Sequence, residues 1–207
     1  MVGMRVGGLF MGNLLGLARA IDRVNEWIGR SVGWCILAAV LLSAGNAVVR
    51  KLFNTSSNAF LEAQWYLYGA AFLGAAAYTL HRNEHVRIDI LYGALSRRSQ
   101  HWIDLLGHLV FLMPFVLLMD LYFVPYVLQS VRSGEMSNNA GGLILWPAKA
   151  LLLAGFALLT LQGLSEIIKK IAVITGRLPD PTPFVPAHQS AEIEGAALAE
   201  KTAERQP

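Results

Sequence analysis

The sequence contains a single cysteine, Cys35, among its 207 residues. One cysteine excludes a disulfide within the chain and a metal site built from several cysteines. The chain also lacks a Walker sequence, a glycine-rich dinucleotide turn after a strand and a local Ser–His–acid arrangement. We therefore expect no enzymatic activity, no cofactor and no metal.

Charged residues are scarce, at 15% of the chain against 55% hydrophobic residues. Residues 31–49 and 63–80 carry no charge, while 105–131 and 136–165 carry one each, Asp120 and Lys149. A helix needs about 20 apolar residues to cross a bilayer, where its backbone must satisfy its own hydrogen bonds. The sequence predicts an all-α integral membrane protein, with a four-helix domain at 31–176 and spans at about 31–49, 63–80, 103–128 and 142–166.

The basic residues predict the orientation of these spans. Most of the 17 Lys and Arg lie before span 1, between spans 2 and 3, or after span 4. Only Arg50, Lys51 and Arg132 lie in the other two loops. The positive-inside rule therefore places both termini and the middle loop in the cytoplasm. The net charge is +3, and the basic residues flank the spans. We therefore expect contact with phospholipid and not with nucleic acid.

The segments that flank the membrane domain differ from it. In the cytoplasmic segment 1–30, apolar residues recur at steps of four and three, namely Phe10, Leu14, Leu17, Ile21, Val24 and Ile28. This spacing predicts an amphipathic helix at 9–29, on the cytoplasmic leaflet or on a partner. A cleavable signal peptide is the alternative, but its apolar part would be rich in glycine. Residues 177–207 begin with four closely spaced prolines, at 179, 181, 183 and 186, and contain few large apolar groups. This composition predicts a disordered cytoplasmic tail.

The histidines raise an alternative function. Two histidines on facing spans can ligate a haem, as in the membrane anchor or redox subunit of a multi-subunit oxidoreductase. Of the five histidines, His81, His85, His101, His108 and His188, only His108 lies inside a predicted span. We therefore favour interfacial polar groups and keep the redox subunit as the alternative.

The densest polar run, HRNEHVRIDIL, lies between spans 2 and 3 and predicts a short interfacial helix. Its His-x-Arg-x-Asp core at His85, Arg87 and Asp89 resembles the small membrane subunit of tripartite ATP-independent periplasmic (TRAP) transporters, the DctQ-like family. Glu62 and the small-residue stretch 69–77 precede it in the order typical of that family. The run from Ser133 to Lys170 resembles the longer branch, linked to 2-oxo acids, mannitol-like compounds and aromatic acids. The resemblance covers about 21–176.

The resemblance implies a subunit of the bacterial inner membrane that carries out no chemistry of its own. A periplasmic binding protein would deliver an organic acid to a large many-span subunit, which moves it inward with sodium. The small subunit would brace the large one. We expect the subunit interface to include six residues of the matching segments: Glu62, Gly69, Gly74, His85, Arg87 and Asp89.

Other polar residues allow several hypotheses. Asp120 and Lys149 lie at similar predicted depths, so they are predicted to pair across spans 3 and 4. Alternatively, Lys149 points outward to the interface. In the loop between these spans, Glu135 and Asn138 are predicted to contact the periplasmic binding protein. At the other end of span 4, Glu166, Lys169 and Lys170 are predicted to form a solvated helix face.

Overall fold

The computed structural model describes residues 2–55, 57–83 and 95–180, with side chains from residue 11 onward. Within these ranges the chain is helical and has no strand. The elements are α1 (Val2–Phe53), α2 (Asn58–Arg82), α3 (Arg97–Leu106), a π-helical turn (Gly107–Leu112), α4 (Met113–Ser133) and α5 (Trp146–Ile174). The short helix predicted around His85, Arg87 and Asp89 lies outside the described residues.

Three helical stretches are long and apolar enough to cross a membrane: Met11–Phe53, Arg97–Ser133 and Trp146–Ile174. Helix α2 has 25 residues but is not among these three stretches. Large apolar side chains are exposed on every one of these helices, for example Trp34, Phe72, Phe111 and Leu121. A surface of this kind is typical of helices that face lipid or a partner.

Helix α1 continues without a break through residues 29–31. The sequence had predicted two elements here, an amphipathic helix at 9–29 and a separate span at 31–49. Of the predicted apolar stripe, Leu17 and Val24 are more than half exposed and so do not pack within the chain. The contact of the stripe with the leaflet or with a partner stays a prediction. The side chains that face the bundle recur at alternating steps of four and three: Leu14, Ala18, Ile21, Asn25, Ile28, Val32, Cys35 and Ala39. This seven-residue repeat keeps one face of a long helix against its neighbours.

Helix α5 is the centre of the bundle, because it packs against α1, α2 and α4. Helices α1 and α2 also pack on each other, so α1, α2 and α5 form a three-helix core with α4 on the outer side of α5. Glycines set the close approaches. A Cβ on Gly155 would lie 2.6 Å from Leu73 Cβ, and one on Gly74 would lie 2.7 Å from Val32 Cγ1. Small residues at the interface are the usual means by which the backbones of membrane helices approach each other closely.

The span that contains α3 and α4 is interrupted by the π-helical turn Gly107–Leu112, directly before Pro114. Proline has no N–H to donate and its ring collides with the carbonyl four residues earlier, so the preceding turn widens. The His108 side chain lies in this turn, with Nδ1 2.5 Å from the Asp104 carbonyl oxygen.

The ends of α5 differ from the prediction. The helix begins at Trp146, so residues 142–145 belong to the connection from α4, which we call the hairpin (134–145). Gly134 ends α4 in the left-handed conformation that favours glycine (φ 59°). After α5, residues 177–180 fold back: Asp180 accepts hydrogen bonds from Arg97 and lies 2.9 Å from His101 Nε2. At the start of the predicted disordered tail, Asp180 thus binds α3, while the N–H groups of Arg177 and Leu178 donate to the Ala172 carbonyl of α5. Residues 181–207 lie outside the described residues.

Candidate functional site

Seven polar side chains meet where α1, α2 and α5 converge, and we call them the Asp22 cluster: Asp22, Asn25, His81, Gln162, Ser165, Glu166 and Lys169. Asn25, Gln162 and Ser165 have 1% or less of their surface exposed. Lys169 Nζ lies 3.0 Å from Asp22 Oδ2 and 2.6 Å from Glu166 Oε1. The cluster thus joins three helices through one ion-paired and hydrogen-bonded network.

The orientation of the two amides in this cluster follows from their partners. Gln162 Nε2 donates to Asp22 Oδ1 at 2.8 Å and to Glu166 Oε1 at 2.9 Å. Because carboxylates only accept, this end of Gln162 must be the NH2 group. Its Oε1 then accepts from Asn25 Nδ2 at 2.7 Å. Gln162 is therefore the buried link between the α1 amide and the carboxylates.

The same cluster includes the one group of potential metal ligands found among the described residues. Ligand atoms of Asp22, His81 and Glu166 lie within 4.8 Å of one another. However, the Lys169 ammonium already contacts both carboxylates. A metal ion placed there would meet that positive charge, so we interpret the cluster as an ion-pair network.

The sequence reading missed this cluster. Glu166 and Lys169 were predicted to lie on a solvated face, but their side chains are 13% and 23% exposed. Lys169 binds Asp22, and Glu166 accepts from Lys169 and Gln162. Lys170 likewise donates to the buried Asp104 at 2.6 Å. The signal was present, since Gln162, Ser165, Glu166 and Lys169 recur at helical spacing on one face of an apolar helix. The partner on α1 was harder to identify, because Asp22 stands among other charged residues.

At the opposite end of the bundle, Glu62 of α2 holds the hairpin. Its carboxylate accepts hydrogen bonds from the Ser137 hydroxyl, from Asn139 Nδ2 at 2.8 Å and from the Leu143 N–H at 2.6 Å. Two further α2 side chains bind the hairpin backbone. Asn58 Nδ2 donates to the Ala140 carbonyl at 2.9 Å and the Tyr66 hydroxyl to the Ile144 carbonyl at 3.0 Å.

These hydrogen bonds favour the ionised carboxylate. The Ser137 hydroxyl, the Leu143 N–H and the Asn139 amide lower the pKa of Glu62 below its ordinary value of 4.5. The pKa of Glu135 is lowered as well, chiefly by the hydrogen bond from Lys149. Both acidic groups at this end are thus ionised at neutral pH.

The predicted pair of Asp120 and Lys149 is wrong. Asp120 Oδ2 accepts from Thr160 Oγ1 at 2.7 Å, whereas Lys149 forms an ion pair with Glu135. Thr160 and Lys149 are 11 residues apart on α5, or about 16 Å by helical rise. The Lys149 ammonium also lies 3.9 Å from the centre of the Tyr126 ring. It therefore points towards the hairpin, as the alternative of an outward-pointing lysine requires.

An exchange of charges tests the pair of Glu135 and Lys149. We expect Glu135→Lys and Lys149→Glu each to lower the yield of folded protein, because each places like charges together. The double variant Glu135→Lys/Lys149→Glu restores the yield, measured as the monodisperse fraction on gel filtration in detergent. Asp120→Lys/Lys149→Asp serves as the control and should show no rescue. Rescue by this double variant would instead support the pair of Asp120 and Lys149 that the sequence predicted.

The remaining predicted interface residues fall into three groups. Glu62 and Gly74 are engaged within the subunit, by the hairpin and by Val32. Gly69 has open space around its α-carbon, so it lies on a free face of α2. Asn138, predicted to contact the binding protein, is exposed at the tip of the hairpin.

A family model described as "Tripartite ATP-independent periplasmic transporters, DctQ component" matches residues 22–173. No curated protein and no solved structure matches the chain. The matched region begins at Asp22 and ends four residues after Lys169, so it contains both polar ends of the bundle.

The family match confirms the resemblance inferred from the sequence and replaces the alternative of a redox subunit. Proteins of this family work with a large membrane subunit and a periplasmic binding protein. With its apolar helices, the chain is an integral protein of the inner membrane. The chain belongs to the DctQ-component family of tripartite ATP-independent periplasmic transporters and is a transporter component, not an enzyme.

Proposed function

We propose that the chain is the small permease subunit of a sodium-coupled, binding-protein-dependent importer of organic acids, in which it braces the large transport subunit. The observation that carries the bracing role is that polar contacts tie the helices together at both ends of the bundle. The Asp22 cluster joins α1, α2 and α5, and Glu62 joins α2 to the hairpin before α5. Sodium coupling and the organic-acid class rest on the family resemblance.

We further propose that α2 is a fourth span. Glu62 and His81, at its two polar ends, are about 28 Å apart by helical rise. On α5, Lys149 and Glu166 are about 26 Å apart. Both lengths are close to the hydrocarbon thickness of about 30 Å. Since α2 packs on both α1 and α5, it lies alongside two helices that are apolar enough to cross.

The proposed orientation places both termini in the cytoplasm and the hairpin in the periplasm. Nine of the basic residues whose side chains are described are on the side of the Asp22 cluster: Arg19, Arg23, Arg30, Arg82, Arg97, Arg98, Lys169, Lys170 and Arg177. Four are on the hairpin side: Arg50, Lys51, Arg132 and Lys149. This asymmetry follows the positive-inside rule. In this orientation Asn138, at the exposed hairpin tip, is available to the binding protein.

We propose that the large subunit docks on the free face of α2. Trp65, Gly69 and Phe72 recur at helical spacing, and the two aromatic side chains are 72% and 76% exposed. Large aromatic residues are enriched among those that dominate interface energies, and a neighbouring glycine lets a partner helix approach. His85, Arg87 and Asp89, which the sequence predicts for the same interface, follow α2 along the chain and lie outside the described residues.

A matched pair of variants tests this interface. Phe72→Ala should reduce several-fold the amount of large subunit that co-purifies with the tagged small subunit, because it removes a central anchor. Phe111→Ala is the control, since Phe111 is equally exposed, at 76%, on the other side of the bundle. Organic-acid uptake should fall with co-purification. Equal recovery of the large subunit in both variants would place the interface elsewhere.

A deletion tests the function itself. Cells that lack this chain should lose sodium-dependent uptake of the organic acid recognised by the partner binding protein, and the full-length chain should restore it. Uptake that persists without the chain contradicts the proposed role. Uptake that is lost but does not require sodium contradicts only the coupling.

A further inference from the structure

Three exposed cations stand at the hairpin end of the bundle, and we call them the basic patch: Arg50, Lys51 and Arg132. The first two lie in the last turn of α1 and the third in the last turn of α4. All three residues are exposed, and none forms an ion pair with a residue of the described ranges. Exposed charges of one sign attract a partner of the opposite sign.

The two acidic residues at this end are already engaged within the subunit. Glu62 accepts three hydrogen bonds from the hairpin, and Glu135 pairs with Lys149, whose side chain is 14% exposed. Together with Lys149, the basic patch brings four cations to an end that holds two carboxylates, so this end has a net charge of +2. The carboxylates hold the hairpin and leave the basic patch without an acidic partner.

Neither membrane topology nor helix capping accounts for the basic patch. In the orientation proposed above its residues lie on the periplasmic side, which the positive-inside rule disfavours for basic residues. A cation in the last turn of a helix does interact favourably with the helix dipole. That dipole is equivalent to about half an elementary charge and is screened at exposed positions. Most of each positive charge therefore remains available to a partner.

The order of residues at the end of α1 favours a protein partner over a lipid headgroup. Leu52 and Phe53 follow Arg50 and Lys51 in the chain, and each is 71% exposed. Phe53 lies about 4.5 Å beyond Arg50 by helical rise, in the direction away from the membrane centre. Lipid tails meet apolar side chains on the membrane side of such cations, not beyond them. A protein surface can cover the cations and the apolar side chains together, and arginine and aromatic residues dominate many protein interfaces.

The hairpin at the same end is held in one conformation before any partner arrives. Asn58, Glu62 and Tyr66 of α2 all bind it, and they leave Asn138 exposed at its tip. A loop that is already ordered costs less conformational entropy when a protein binds. A fluid headgroup gains little from a fixed loop, so the preorganised hairpin also favours a protein partner.

We propose that the periplasmic binding protein docks on the hairpin end through an acidic surface that faces the basic patch, with Leu52 and Phe53 as apolar contacts. The inference rests on the proposed function, which supplies the binding protein, and it names the chemistry of the contact. Exposed charges act mainly on the rate of association and are screened by salt. Such a contact is short-lived, as delivery of substrate followed by release requires.

Charge reversal tests the proposal. The full-length chain and its large subunit are reconstituted in vesicles of phosphatidylcholine, and initial uptake is measured against the concentration of substrate-loaded binding protein. Arg50→Glu and Arg132→Glu should each raise the half-saturating concentration several-fold at low ionic strength and leave the maximal rate unchanged. Added choline chloride at constant sodium should shrink this difference. Arg50→Lys, which keeps the charge, and Arg98→Glu, an exposed position at the opposite end, should behave as the wild type.

Three results would overturn the acidic contact. Equal half-saturating concentrations for Arg50→Glu and Arg98→Glu would show that the basic patch does not meet the binding protein. An effect that appears only when phosphatidylglycerol is added to the vesicles would assign the patch to anionic lipid. Loss of the co-purified large subunit in Arg50→Glu would assign it to the permease interface. All three leave the proposed function intact, whereas wild-type uptake that needs no binding protein contradicts that function itself.

Discussion

Asp22→Ala is expected to destabilise the bundle by about 2–3 kcal/mol, because it removes the acceptor for three donors and leaves the Lys169 ammonium with one carboxylate. The Asp22 and Lys169 side chains are 16% and 23% exposed, so the loss is below that of a fully buried pair. The melting temperature in detergent should fall by several degrees, and co-purification of the large subunit should fall with it.

Glu26→Ala is the matched control for this prediction. Glu26 is an acidic residue on the same helix, but its partner Arg30 is 68% exposed and only four residues away. A pair of this kind contributes about 0.3–0.5 kcal/mol. A second comparison uses Asp22→Asn/Lys169→Met, which removes both charges and should cost less than the sum of the single changes. Equal melting temperatures for Asp22→Ala and Glu26→Ala would contradict a structural role for the cluster.

Glu62→Gln is expected to release the hairpin while the helices stay folded. The carboxylate accepts from Asn139 Nδ2 with Oε1 and from the Leu143 N–H with Oε2, so the NH2 group of glutamine faces an N–H donor in either orientation. Hydrogen exchange at the Leu143 amide should accelerate several-fold, measured by mass spectrometry. If Asn138 contacts the binding protein, uptake at limiting binding protein should fall in the same variant.

The pH dependence of the hairpin follows from Glu62. Because its folded pKa lies below 4.5, its stabilising contribution is complete above that ordinary value and is lost as the pH falls through the lowered pKa. Exchange at Leu143 should therefore stay slow down to the ordinary carboxyl range and rise below it, and Glu62→Gln should abolish this transition. Asn138→Ala is the control: it should weaken uptake at limiting binding protein while exchange at Leu143 stays slow. Unchanged exchange in Glu62→Gln would show that Asn58 and Tyr66 hold the hairpin alone.

The placement of the membrane helices was largely predictable. The predicted spans at 31–49 and 103–128 lie within helices that are apolar and long enough to cross, and the span at 142–166 overlaps a third such helix from residue 146 onward. The span at 63–80 lies within α2. Local hydropathy is sufficient to place a span, because a helix in lipid must be apolar over the thickness of the bilayer and satisfy its own backbone hydrogen bonds. The resemblance at His85, Arg87 and Asp89 identified the family. The face of α1 was not predictable in the same way. Ala18 and Asn25 are buried and Leu17 exposed because α2 and α5, distant in sequence, select the packed side.

The sequence by itself determined that this chain is helical, resides in a membrane and belongs to a transporter family, because composition and ordered motifs report these properties locally. The tertiary structure decided which charges meet. Lys149 reaches Glu135 and not Asp120, and Asp22 reaches Lys169 across 147 positions of sequence. Partners of this kind depend on the rotation and depth of each helix, and glycines such as Gly155 set how closely the helices approach.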